Sequence, residues 1–347
     1  MHFDPRNILV IDFGQLGDVV LSLPALRVIR KRFPSARLTV AVGKPGGQII
    51  KLSGLADSVL EVDRVSLRDG STLVSIARIL KLVGNVRKAK FDFVIDLHSL
   101  SETNLLGFLS GAPYRLFSRR PGRSIDYLNN FQPKPPAEDS SDHLVDRYLK
   151  VLRPLGIENA SRYPILKTTA AGDRQIETLL KKERAESNAL LVGLFPGAGH
   201  AGRRWPIERF AELADFLIRN DRVRVVVFAG PEERVLIPQM KTLFPTNTIF
   251  LDQLTIEQLA SAQARLTLFI SNDTGPMHIA AAVGTPVITL LDRPTPNSFV
   301  PLGEQHRLIL GPTIQEITVE QVYKEAHEAL ANSRTENLFS LANIVDE

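Results

Sequence analysis

The chain contains no cysteine among its 347 residues. That excludes disulfides, thiolate metal sites and a cysteine nucleophile, and it fits a reducing compartment. No stretch approaches the ~18 uninterrupted apolar residues of a membrane span; the longest apolar runs are strand-sized, as at Val225 to Ala229. The opening MHFDPRNILVIDFG lacks the basic start and apolar run of an export signal, so the expected location is cytoplasmic. Charge of one sign is not in large excess. A net charge of +4 is modest for nucleic-acid binding, and no nucleic-acid partner is expected. It suits anionic small molecules or an anionic membrane surface. G-x-G-x-x-G, the Walker loop and the Gly-x-Ser-x-Gly elbow are all missing, and Glu325 to Leu330 (EAHEAL) is not H-E-x-x-H. The seven histidines form no metal set, so no metal site is expected.

What is present is a repeated alternation of short apolar runs and helical patterns. The expected strands are Ile8 to Ile11, Leu38 to Val42, Val59 to Val62, Phe93 to Leu97 and Arg115 to Ser118. In the second half they are Leu191 to Phe195, Val223 to Ala229, Thr248 to Leu251, Leu266 to Ser271 and Val287 to Leu291. Helical patterns intervene, among them Ala25 to Arg32, Leu73 to Val83, Ile207 to Ile218 and Glu257 to Ala264, with a C-terminal helix at Thr318 to Leu330. Nearly all-apolar strands between helices indicate parallel sheets covered on both faces. At roughly 150 residues per domain, the length suits two such domains. The expected division is 1–165 and 166–347, inside a stretch from Gly156 to Gly172 that is poor in apolar repeats. The C-terminal tail either frays or packs back on the first domain. Phe131 to Asp142 (FQPKPPAEDSSD) reads as an exposed loop.

Three strand-to-helix junctions carry candidate chemistry. In Gly14-Gln15-Leu16-Gly17-Asp18, two glycines allow a tight turn and put Asp18 at a helix start. Asp18 there is either a helix cap or a carboxylate facing a ligand. In Phe195 to Pro206, the run Gly197-Ala198-Gly199 lets backbone amides approach an anion. Arg203 and Arg204 add charge, and Trp205-Pro206 is expected to open the next helix. In Asn272-Asp273-Thr274-Gly275-Pro276-Met277-His278, an apolar strand ends directly before a helix whose first amides suit a phosphate. The single Asp-Thr-Gly lies in an α/β setting, which argues against an aspartic protease. Glu232 or Glu233 is placed either to meet ribose hydroxyls or simply at an acid-favouring helix start. Basic residues cluster at Arg87-Lys88-Ala89-Lys90 and at Arg119, Arg120 and Arg123.

Taken together, these motifs resemble glycosyltransferase family 9, the heptosyltransferases. The matching segments are ILVIDFGQLGDVVLSLPALRVIRKRFP, FDFVIDLHS, HLVDRYLKVLRPLG, LFPGAGHAGRRWPIERFAELAD and SNDTGPMHIAAAVGTPVITLL, in the expected order over roughly residues 7 to 312. The resemblance implies the α/β GT-B architecture, two doubly wound Rossmann-like domains facing across a cleft. It implies an inverting transfer of heptose from an ADP-sugar donor to a lipopolysaccharide inner-core acceptor, with neither metal nor other cofactor. Asp18 matches the general base, and Arg203 would stabilise the leaving diphosphate. Donor contacts would come from Gly197, Ala198, Gly199, Arg203, Arg204, Glu232, Glu233, Leu254, Asp273, Thr274, Gly275 and His278. Acceptor contacts would come from Gly17, Asp96, His98, Arg119, Arg120 and Arg123. The acceptor would be a glycolipid, which makes the enzyme peripheral on the inner face of the cytoplasmic membrane. Three positions depart from the family: Asp12, where many members are basic; Arg203, where Lys is usual; and Asp292-Arg293-Pro294-Thr295-Pro296, where Gly-Pro-Thr-Asp-Pro is usual. They leave two alternatives, a non-catalytic nucleotide-sugar or glycan-binding protein and a GT-B nucleotide-sugar epimerase.

Overall fold

A computed structural model describes residues 3–63, 72–183, 190–292 and 298–345; side chains at 72, 73, 201 and beyond 333 lie outside that description. The chain forms two compact units, Met1–Ile165 and Leu166–Glu347.

The first unit is built on five parallel strands: β1 (Asn7–Asp12), β2 (Arg37–Gly43), β3 (Ser58–Val62), β4 (Phe93–Asp96) and β5 (Tyr114–Phe117). Their order is β3-β2-β1-β4-β5. Ile8, Leu9, Val10 and Ile11 are all fully buried, as expected for a central parallel strand covered on both faces. Among the described residues its helices are α1 (Leu16–Arg32), α2 (Lys44–Ser53), α3 (Thr72–Lys88), α4 (Ser101–Leu109) and α5 (Leu144–Val151).

The second unit has six parallel strands: β6 (Leu191–Phe195), β7 (Arg224–Phe228), β8 (Ile249–Leu251), β9 (Leu268–Asn272), β10 (Val287–Asp292) and β11 (Arg307–Gly311). Their order is β11-β10-β9-β6-β7-β8. Its helices are α6 (Ala170–Lys182), α7 (Ile207–Asp221), α8 (Ile237–Leu243), α9 (Ile256–Gln263), α10 (Gly275–Ala282) and α11 (Val319–Val345). Phe210, Leu213, Ala214 and Leu217 recur at helical spacing on α7 and are buried. Val322, Ala326 and Leu330 of α11 join the same core.

In both sheets the strand order reverses once, between β1 and β4 in the first and between β6 and β9 in the second. Open α/β sheets bind ligands at the carboxyl ends of the strands flanking that reversal. The junctions carrying Asp18, His98, Arg203 and Asp273 follow these four strands.

Four expectations need correction. α1 begins at Leu16, well before Ala25, and runs through Pro24. An internal proline costs a ladder bond, but Val19, Val20, Leu21 and Leu23 are buried and hold the first turns in place. β11 was not anticipated, although Leu308-Ile309-Leu310 is an apolar run as long as that of β4; it is a half-exposed edge strand. The segment from Phe131 to Asp142 is exposed only in part. Phe131 is buried against Phe93 and Phe3, with ring centroids 5.4 and 5.1 Å away, and Glu138 pairs with Arg120 and Arg147. Trp205 and Pro206 do not lie in α7: Pro206 is its N-cap, and Trp205 is buried with its indole N–H donating to the Ile317 carbonyl at 2.8 Å.

Candidate active site

At the first unit's reversal, β1 ends in Asp12 and the chain turns into α1 within three residues. Asp18 is half-buried, and its Oδ2 accepts from the Gln15 amide at 2.8 Å. It therefore does cap α1, and capping is compatible with a chemical role because it fixes the carboxylate at the strand end. Gly14 is essential to this packing. A Cβ there would meet Asp18 Cβ at 2.4 Å and Asp12 Oδ1 at 3.0 Å. Gly17 is buried within the first turn of α1 and offers no exposed surface.

Asp12 is buried and accepts from the Gly14 amide at 3.0 Å. Burial first, then the neighbouring Asp18 charge, pushes its carboxyl up to about 6; the Gly14 amide and the Ser22 and Tyr148 hydroxyls work against that rise. Tyr148 lies on α5 and is itself held well above the usual tyrosine range, mainly by burial. His98 Nδ1 lies 3.9 Å from Asp12 Oδ1.

Asp96 does not face a ligand as expected. It is fully buried, accepting from the Ser99 amide at 2.7 Å and from Asn104 Nδ2 at 2.8 Å, and desolvation pushes its carboxyl up to about 7. Ser99 has a φ of 42°, a left-handed conformation that costs a non-glycine residue on the order of 1–2 kcal/mol. Asp96 thus holds the strained turn that presents His98. The arginine cluster is also divided. Arg120 donates to the His98 carbonyl at 2.8 Å and to Glu138 at 3.0 Å, so it braces the same turn from inside. Arg119 pairs with Asp126 at 3.4 Å, and Arg123 is exposed. The three do not form one open basic face.

At the second unit's reversal, the loop after β6 meets the turn after β9. Asn272, fully buried, ties them together: its Nδ2 donates to the carbonyls of Pro196 and Gly197 at 3.1 and 3.0 Å, and its Oδ1 accepts from the Trp205 amide at 3.0 Å. Arg203 reaches Asp273 at 3.6 Å, both side chains partly exposed. Arg204 has a different role from the one expected: its guanidinium donates twice to the Ala198 carbonyl, at 3.2 and 3.0 Å, and clamps the loop. Glu233 is the glutamate brought to this loop. It is buried, accepts from the Gly230 amide at 3.1 Å, and is pushed upward mainly by desolvation. Its carboxyl occupies the space a Cβ on Gly197 would need, at 2.4 Å. Glu232 is exposed, while Gly199 has open space around it and no steric need for glycine.

Thr274 is the N-cap of α10 but makes no capping bond; its Oγ1 is buried without a hydrogen-bond partner among the described residues. The amides of Gly275 and Met277 in the first turn therefore lack a side-chain cap, and such a helix start favours an anion. His278 is nearly buried within α10, and Leu254 packs half-buried against the core. Asp292 ends β10, and 293–297 lie outside the described residues. Asn272, Tyr148 and Ser22 were missed as supporting residues. For Asn272 the signal was available, a polar residue closing an all-apolar strand before Asp-Thr-Gly.

Tandem doubly wound units, with a carboxylate turn at one reversal and an anion-favouring helix start at the other, define an enzyme of the GT-B architecture. The family model for glycosyltransferase family 9 (heptosyltransferase) matches residues 79–328. Lipopolysaccharide heptosyltransferase 2 of Salmonella typhimurium is 26% identical, over 94% of this chain and 99% of that protein. The crystal structure of a family 9 glycosyl transferase from Veillonella parvula superposes with a TM-score of 0.82 at 24% identity, covering 96% of this chain and 99% of that one. The E. coli ADP-heptose lps heptosyltransferase II gives 0.76 at 21% identity, covering 94% and 99%. The chain belongs to glycosyltransferase family 9, the heptosyltransferases, and is a glycosyltransferase. No described helix is long and apolar enough to cross a membrane.

Proposed function

We propose that the chain transfers a heptose from an ADP-heptose-like donor to a lipopolysaccharide inner-core acceptor, inverting the anomeric centre. The observation that carries this reading is the pairing of Arg203 with Asp273 beside the uncapped start of α10. The names of the relatives supply the sugar and the nucleotide. The first unit would hold the acceptor and the second the donor.

In this reading Asp18 takes the proton of the acceptor hydroxyl as its oxygen bonds to the anomeric carbon from the face opposite the diphosphate. The bond from that carbon to the diphosphate oxygen breaks, and the electron pair leaves with ADP. Arg203 and the first amides of α10 stabilise the charge that develops on the diphosphate. Asp273 orients Arg203, while Glu233, Arg204 and Asn272 fix the loop. Glu232 and Leu254 lie toward the nucleoside, and His98, Arg119 and Arg123 toward the acceptor. The acceptor is a glycolipid, so the enzyme works at a membrane surface.

The test is incubation with ADP-heptose and a heptose-free core lipid, following ADP release and the anomeric configuration of the product. Asp18→Asn should reduce kcat by 10²-fold or more, on the order expected for a lost general base. Near wild-type turnover in that variant would remove Asp18 from the mechanism. Thermal stabilisation by nucleotide sugars without turnover would make the chain a binding protein, and sugar-nucleotide conversion without acceptor would make it an epimerase.

A further inference from the structure

α3 carries an apolar stripe that begins in the core and runs out into solvent. Ile76, Ile79, Leu80 and Val83 recur at i, i+3, i+4 and i+7, so they share one face. At the C-terminal end of that face Val83 packs against the first unit's core. Ile76, Ile79 and Leu80 are instead exposed, at 48%, 47% and 66%. Isolated exposed apolar residues need no explanation, but a continuous stripe does. α3 also packs against α4, where Leu105 and Phe108, three residues apart, are exposed at 47% and 44%.

The charge on α3 is all of one sign. Thr72–Lys88 holds Arg78, Lys81, Arg87 and Lys88 and no acidic residue. Lys81 and Lys88, seven residues apart, fall on the side of the helix away from the Ile76 stripe, beside the exposed Val74, while Arg87 extends the stripe's own face one turn beyond Val83. An exposed apolar stripe on a helix whose charges are all basic is the pattern of a helix lying in a membrane interface, apolar side down and basic residues at the headgroups. A protein partner would need an acidic rim around an apolar patch to match the same surface. An anionic lipid surface is matched by both the stripe and the positive charge of Lys81, Arg87 and Lys88.

We propose that α3, with the exposed face of α4, docks the enzyme on an anionic lipid bilayer. The inference rests on the reading that the acceptor is a glycolipid, and it puts the membrane contact on a surface other than Arg119, Arg120 and Arg123, which the family resemblance gives to the acceptor.

The experiment is co-sedimentation of the purified full chain with vesicles of phosphatidylethanolamine and phosphatidylglycerol, and with phosphatidylcholine vesicles. Binding to the anionic vesicles, weakened by salt and absent with phosphatidylcholine, is expected. Each basic residue near such a surface is worth about fivefold in affinity, so Lys81→Gln with Lys88→Gln should weaken binding on the order of 25-fold. Ile76→Ser with Leu80→Ser should abolish it, and both double variants should keep their melting temperature and their turnover on a delipidated core oligosaccharide. Arg119→Glu with Arg123→Glu should leave binding unchanged. Equal binding by wild type and the α3 variants overturns the proposal. So does a dimer in light scattering that Ile76→Ser with Leu80→Ser dissociates, because the stripe would then be covered by a second copy. Vesicle binding requires no donor or acceptor, so a chain that docks through α3 but transfers no heptose would sink the proposed activity and leave this surface standing.

Discussion

Asp12 and Asp18 direct their carboxylates to one point: a Cβ on Gly14 would lie 3.0 Å from Asp12 Oδ1 and 2.8 Å from Asp18 Oδ2. Two acids so close disfavour each other's ionisation. The charged and titratable groups around Asp12 are Asp18 on α1, Tyr148 on α5, Asp96 at the end of β4, and His98 beyond it. Arg120 and Arg147 act on the same cluster through Tyr148. Asp12→Asn removes the nearest like charge from the proposed base. Because Asp12 is protonated below about pH 6, the kcat/KM profile of the variant should match wild type on its acid side and differ above pH 6, where only wild type gains the second charge, with the fold retained. A profile that overlays wild type would show that the two carboxylates do not titrate together.

The same substitution should change how stability depends on pH. The Asp12 carboxyl is held at about 6, above its usual 3.8, so the folded protein keeps a proton that the unfolded chain releases. Its contribution is most favourable below pH ~4 and declines as pH rises toward about 6, after which it is flat. A shift of this size corresponds to about 3 kcal/mol. Relative to wild type, Asp12→Asn should therefore gain stability between pH 4 and pH 7. Urea titrations of both proteins at several pH values check this, since groups not coupled to Asp12 cancel in the difference. A constant gap would mean that Asp12 is not held protonated by the fold.

Asn272 joins the loop after β6 to the turn after β9 through three hydrogen bonds. At roughly 1 kcal/mol each, plus the penalty for stranded buried partners, Asn272→Ala should destabilise the second unit by about 4 kcal/mol or more. It should also weaken ADP binding, because Gly197 and Asp273 would lose their common anchor. Denaturant melts and ADP titration measure the two effects separately. Full ADP affinity in a destabilised variant would make Asn272 a fold residue only.

Much of this was legible in the sequence. Buried parallel strands such as Ile8 to Ile11 and Val225 to Phe228 are apolar throughout, so their positions and the doubly wound class could be read directly. The junctions at Asp18, Arg203 and Asp273 were legible because glycines and charges sit where a strand stops. What escaped depended on tertiary partners. Asp96 follows three apolar residues just as Asp12 does, and nothing local says that Ser99 and Asn104 will enclose it. Arg204 beside Arg203 looks equally suited to a phosphate, but only the folded loop sets the Ala198 carbonyl against it. The edge strand β11 carries Leu308-Ile309-Leu310 and was overlooked because so short a run, half-exposed at the sheet edge, is not followed by a helix at once.

Arg203 and Asp273 lie 3.6 Å apart with both side chains partly exposed. A pair of that exposure contributes only about 0–1 kcal/mol to stability, so Arg203→Ala should barely change the melting temperature. Its effect on turnover should be much larger. A preorganised cation aimed at a departing diphosphate acts chiefly when charge develops, and removing one such donor costs on the order of 10²–10³ in kcat. Arg203→Lys keeps the charge but loses the planar fork, so its kcat should fall between wild type and Arg203→Ala. Asp273→Asn leaves Arg203 present but less constrained and should lower kcat more than it weakens ADP binding. Steady-state kinetics with ADP inhibition constants distinguishes these outcomes. A large drop in melting temperature for Arg203→Ala, or a change confined to the KM of the donor, would place Arg203 in loop structure or ground-state binding and leave the leaving group to the amides of α10.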